Sequence, residues 1–94
     1  MTTATLHQFT IDQTVTSTAI QRIQLIPAGD GTAAYDAVVT FATGREYVYN
    51  VEDCAMAERW HGLLSDAESN AATSWGYEVN RAINHGDMEL VLAV

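Results

Sequence analysis

The stretch VVTFATGREYVYNV, Val38 to Val51, decides the fold. Leading into it and through its first half, Tyr35, Ala37, Val39 and Phe41 alternate with Ala34, Asp36 and Thr40. In its second half Tyr47, Tyr49 and Val51 alternate with Glu46 and Asn50. A period of two on each side of one glycine is the pattern of a β-hairpin, because successive strand side chains point to opposite faces. Loop length then sets the register. A three-residue loop, Ala42-Thr43-Gly44, places Val39 opposite Tyr47 and Ala37 opposite Tyr49, with Gly44 in the left-handed conformation such loops need. A two-residue loop would pair odd positions with even ones and turn the tyrosines away from Val39 and Phe41.

Upstream, Thr18 to Ile26 is rich in β-branched and aliphatic residues, with Ile23 and Leu25 on one face, and reads as a strand. Pro27-Ala28-Gly29-Asp30-Gly31 combines a fixed φ, two glycines and an Asx-type residue. It is a turn into the hairpin strand that begins near Ala33. Thr5 to Ile11, with His7, Phe9 and Ile11 on one side, predicts a short edge strand, and the polar run Asp12 to Thr16 reads as a connection.

After Val51 the period becomes helical. Asp53 is placed to cap a helix, and Glu52 beside it favours the positive end of the dipole. Met56, Trp60, Leu63, Leu64 and Ala67 form an apolar stripe, with Cys54, Glu58, His61 and Ser65 on the opposite side. The stripe is expected to lie on the sheet face made by Val39, Tyr47 and Tyr49, and Gly62 weakens the helix without ending it. A second helical pattern starts at Ser69 or Asn70, carries Ala71, Ala72, Trp75, Val79, Ala82 and Ile83, and stops near Asn84-His85-Gly86. Gly76 is the expected point of a break within it. Met88 to Val94, MELVLAV, reads as a final strand that is apolar on both faces and needs cover from a partner strand or another subunit. The expected architecture is α+β: an antiparallel β-meander of three to four strands with two helices packed on one face.

Ninety-four residues allow one modest core, so 1–94 reads as a single domain. Twelve acidic residues face four basic ones, all arginine, for a net charge of −8. That charge repels phosphate polymers and anionic membrane surfaces, which argues against non-specific nucleic-acid binding and against membrane association. The single cysteine, Cys54, has no internal disulfide partner, and the start MTTATLHQF has neither a basic region nor a long apolar run. The expectation is a reducing, intracellular compartment.

Catalytic chemistry is hard to assemble. Cys54 and His61 lie about 10 Å apart along one helix, too far for a nucleophile and its base. Glu58-x-x-His61 has the spacing of a dimetal carboxylate site, but in one copy only, and a solvated helix face explains it better. His7, His61 and His85 are scattered, with no zinc-ligand spacing, so no metal or cofactor is expected. Gly29-Asp30-Gly31 lacks the helix and lysine of a phosphate loop.

The motifs Ser17-x-Ala19-Ile20-x-Arg22-Ile23, Phe41-x-x-Gly44-x-x-Tyr47-x-Tyr49-x-Val51, Ala67-x-Ser69 and Gly76-Tyr77-x-x-Asn80-Arg81-x-Ile83 together resemble the KTSC domain. That family is a short bacterial and phage-associated module, found alone or appended to larger proteins such as some lysyl-tRNA synthetases. The resemblance spans Ser17 to Ile83 and leaves 1–16 and 88–94 as strand extensions. It implies a binding module without an established catalytic role, in the cytoplasm of a bacterium or an infected host cell.

Two functional expectations follow. The first is a non-enzymatic interaction module that binds a protein partner or a second copy of itself through Leu90 and Leu92 of the terminal strand and the carboxylates Glu52, Asp53 and Glu58. A phage accessory role, with the acidic exterior mimicking DNA, extends that reading. The second is a small-ligand binder for a nucleotide or other anion. It needs the last helix to cross the meander, so that Arg22, Tyr49, Trp75, Asn80 and Arg81 meet in one pocket.

Overall fold

The computed structural model describes residues 9–28, 34–52 and 54–93. The expectations placed on Thr5 to Gln8, on Gly29-Asp30-Gly31, on Asp53 as a cap, on the Cys54 side chain and on Val94 lie outside the described residues. The fold is α+β. Among the described residues, five antiparallel strands stand in the order β1-β2-β3-β4-β5, a meander. They are β1 (Ile11–Thr14), β2 (Ile20–Pro27), β3 (Tyr35–Phe41), β4 (Glu46–Val51) and β5 (Glu89–Ala93). Between β4 and β5 come α1 (Cys54–Ser65), α2 (Ala67–Ala72) and α3 (Trp75–Asn84).

The hairpin has the register its loop dictates. Val39 pairs with Tyr47 and Ala37 with Tyr49. The Phe41 N–H donates to the Arg45 carbonyl at 2.8 Å, closing a three-residue loop, and Gly44 has φ +91°. The parity fixed there carries across the sheet: Ile23, Leu25, Tyr35, Ala37, Val39, Tyr49 and Val51 are all buried on one face. Ile20 joins them because β2 carries an irregularity between Ile20 and Arg22, which lets two isoleucines three positions apart face the same core.

The strand and helix counts exceed the expected three to four strands and two helices. The extra strand, β1, falls in the run read as a connection. Its Asp12, Gln13 and Thr14 are exposed at the sheet edge, so it shows no alternation of apolar and polar residues. Buried Ile11 and side-chain hydrogen bonds from Arg22 and Gln24 to Asp12 hold it in place.

Met56, Ala57, Trp60 and Leu64 are the buried face of α1. Leu63 is half-buried and Ala67, at the start of α2, is exposed. His61, expected on the solvent side, is also half-buried: its ring lies 4.2 Å from that of Phe9, which in turn stacks on Tyr35 at 4.7 Å. The helical segment breaks at Thr73-Ser74 rather than at Gly76. Thr73 and Ser74 are extended, with ψ of 133° and 91°, and the Thr73 hydroxyl donates to the Ser69 carbonyl at 2.6 Å. This bend turns Trp75 into the core edge-on to Trp60, ring centroids 5.7 Å apart, while its indole N–H donates to Asn70. Gly76 lies within α3 where an added Cβ would come 3.4 Å from the Ala19 side chain, a close approach of helix to sheet. At the other end the Gly86 N–H donates to Ile83 and the Asp87 N–H to Ala82, with Gly86 at φ +76°, the double bond pattern that closes a helix C-terminus.

Two substitutions separate backbone strain from helix propensity. Gly44→Ala forces a Cβ into the left-handed region and is expected to cost about 1 kcal/mol. Gly62→Ala, in an exposed helix interior with open space around the new methyl, is expected to gain about 0.5–1 kcal/mol. Urea denaturation midpoints of the two variants should therefore move in opposite directions.

Candidate functional site

The structure does not bring the five expected ligand-binding residues into one cleft. Arg22 alternates with buried Ile23 and is registered to Thr40, on the sheet face turned away from the helices. Its Nε donates to Asp12 Oδ1 at 2.6 Å and its Nη2 to the other carboxylate oxygen. Asn80 and Arg81 are exposed on α3, in the layer on the opposite face. The two guanidinium groups that were to share a pocket are thus on opposite sides of the sheet. Tyr49 and Trp75 are 3% and 0% exposed, so their aromatic faces are occupied by core packing.

The residues expected to meet a partner are placed differently. Glu52 and Glu58 are exposed, and Asp53 lies outside the described residues. Acidity is distributed over both layers: Asp36 and Glu46 on strands, Glu58 and Glu68 on helices. Glu52, Asp87 and Glu89 border a small cleft with Asn50 and Gly86. Among the described residues, however, no group of three or more His, Cys, Asp or Glu side chains is placed to hold a metal ion.

Leu90 and Leu92 belong to a more unusual surface. All five residues of β5 are exposed, with Leu90 at 55%, Val91 at 63% and Leu92 at 56%. One side of β5 pairs with β4: Leu92 with Val48, Leu90 with Tyr49. Val91 is the extra residue of the bulge between these pairs, and Ala93 is registered to Tyr47. The other side of β5 is the sheet edge, and among the described residues no strand pairs with it. Buried Met88 anchors the strand at its start, and the closure of α3 at Gly86 aims it along β4. The apolar run Met88 to Val94 already carried the signal for Val91 and Ala93. Arg45 carried no such signal; it lies beside the hairpin loop, exposed.

Among the described residues the ion pairs are Arg22 with Asp12 and Arg59 with Glu78. The second joins α1 to α3 through a forked contact at 3.1 and 3.3 Å, with the Glu78 side chain 10% exposed. No helix among them is long and apolar enough to cross a membrane. Comparison with protein-family models, with curated proteins and with solved structures finds no match for this chain.

Two titrations contribute to the pH dependence of stability. The hydrogen bonds from Arg22 hold the Asp12 carboxyl below its ordinary value, outweighing an opposing effect of burial. A depressed folded value gives stability that is present above about pH 3.9 and lost as pH falls through the folded value. Burial, with a smaller contribution from Tyr47, raises the Tyr49 phenol. Its stability contribution is present below about pH 10 and lost as pH rises through the raised value. Asp12→Asn should flatten the acid limb of a stability–pH curve, modestly because the pair is half-exposed, and Tyr49→Phe should flatten the alkaline limb. Urea midpoints from pH 2.5 to 11 would read both.

Proposed function

We propose that this protein is a non-enzymatic interaction module that extends its sheet at β5 with a strand from another protein chain, a second copy being the simplest such chain. The observation that carries this reading is the exposed apolar row Leu90-Val91-Leu92 on an edge strand. An edge strand presents unpaired N–H and C=O groups, which supply affinity to an added strand, while exposed alternate side chains supply selectivity. The two edges of the sheet contrast. β1 shows Asp12, Gln13 and Thr14 to solvent, the polar blunting expected of an edge kept free. β5 shows leucine and valine.

The local charge on β5 leaves self-pairing open in spite of the net −8. In an antiparallel β5 pair centred on Val91, the two copies of Glu89 stand at opposite ends, about 13 Å apart along the strands. That exceeds the Debye length of about 8 Å at physiological salt. A contact built on five residues is small beside the roughly 1,200–2,000 Å² of standard stable interfaces, so the association is reversible. The binding-module character implied by the KTSC resemblance agrees with this reading in kind.

Sedimentation velocity over roughly 10 µM to 0.5 mM should show a concentration-dependent dimer, as mass action requires. The double variant Leu90→Lys, Leu92→Lys should remain monomeric over the same range with an unchanged circular dichroism spectrum. A wild-type protein that sediments identically to the double variant at every concentration would remove self-pairing through β5.

A further inference from the structure

A second surface, separate from the β5 edge, lies at the loop end of the hairpin. Thr18, Ala19, Phe41, Ala42, Arg45 and Tyr47, together with Thr43, line an open cleft of about 390 Å³. Two of its walls are aromatic. Phe41 and Tyr47 are half-buried, with ring centroids 5.3 Å apart and planes at 57°, packed against the core on one side and bordering the cleft on the other. The floor is held by backbone bonds: the Ala42 N–H donates to the Ala19 carbonyl at 2.9 Å, and the Gly44 N–H to the Phe41 carbonyl at 2.8 Å. The Ser17 hydroxyl accepts from the Ala19 and Ile20 N–H groups, fixing the approach to β2. The cleft is therefore preformed, within the size range of small-molecule sites, and mostly apolar.

Among the described residues its one charged lining residue is Arg45. The chain has four arginines against twelve acids. Arg22 and Arg59 are in ion pairs, whereas Arg45 has no ion-pair partner among the described residues. In a protein so acidic, a guanidinium with no carboxylate partner among the described residues, beside an aromatic cleft, is complementary to an anionic ligand group. One cation and no second basic residue suit a single negative charge better than a phosphate dianion, which the net charge of the protein would repel. The planar fork of arginine matches a carboxylate in geometry. The threonine hydroxyls of Thr18 and Thr43 add neutral donors and acceptors, not charge.

We propose that this cleft binds a small amphipathic monocarboxylate, its ring or short aliphatic body against Phe41, Tyr47 and Ala42 and its carboxylate on Arg45. The test uses the full chain, labelled with ¹⁵N and titrated with 3-phenylpropionate, indole-3-acetate and octanoate, with 3-phenylpropionamide as the neutral control. At least one carboxylate should shift the amide signals of residues 18–19 and 41–47. The neutral amide, and the carboxylate on Arg45→Gln, should each bind about tenfold more weakly, the cost of losing a charge-assisted hydrogen bond. Ala42→Trp, whose side chain takes up space in the cleft, should abolish binding. The variant Leu90→Lys, Leu92→Lys should bind as wild type, so the result stands apart from that of the β5 edge. Absence of shifts at these residues with all three carboxylates would overturn the proposal. So would equal binding of the neutral amide, or unchanged binding by Arg45→Gln.

Discussion

Side chains on a strand alternate between two faces, so a loop that joins two strands decides which residues meet in the core. In this protein the decisive loop is Ala42-Thr43-Gly44. With Gly44 at φ +91°, the loop has three residues and Val39 meets Tyr47. One residue fewer would put Tyr47 and Tyr49 on the face of Thr40 and Val38, and the helices would have no apolar floor. The same parity reaches Leu25 and Ile23 through their pairing with Ala37 and Val39. It is interrupted once, at the irregularity of β2, and that interruption recruits Ile20 into the core.

The helical layer then sets what remains uncovered. A helix about 10 Å across covers about two strands spaced about 4.8 Å apart. α2 buries no residue, so α1 and α3 do the covering, and they are joined to each other by the Trp60–Trp75 contact and the Arg59–Glu78 fork. Two helices over five strands leave about one strand without cover. β5 is that strand, and the loop end of the hairpin is a second place the helices do not cover. The exposed row of β5 and the cleft at Phe41 and Tyr47 are consequences of the same shortage.

Those residues whose role is set by alternation or by helical period were legible in the sequence. The hairpin register, the apolar face of α1 through Met56, Trp60 and Leu64, the stop at Gly86 and the apolar terminal strand follow from local chemistry. β1 was not legible, because an edge strand held by Asp12–Arg22 hydrogen bonds shows no apolar alternation. Nor was the break at Thr73-Ser74, since glycine at 76 is the stronger local signal and the bend is set by the place Trp75 takes against Trp60 and Asn70. The candidate sites were legible only in part. Leu90 and Leu92 stood out in an apolar run. The grouping of Arg22 with Arg81 failed because sequence separation says nothing about which side of a sheet a residue faces. The residues that carry the KTSC resemblance have structural roles here: Ser17 accepts the N–H bonds before β2, Gly44 makes the loop, and Gly76 admits α3 to Ala19.

Net charge and local surface then act at different ranges. A charge of −8 governs approach from beyond about a Debye length and favours neutral or basic partners. At contact distance the local groups dominate. β5 offers three apolar side chains with Glu89 at one end, and the hairpin cleft offers one arginine among aromatic and small residues. The strand-donating chain proposed for the first is selected by backbone pairing and apolar contact, neither of which salt screens. The small anion proposed for the second is selected by a single fork, which added salt screens. The two proposed contacts therefore differ in kind: added salt weakens the anion contact and leaves the strand pairing in place.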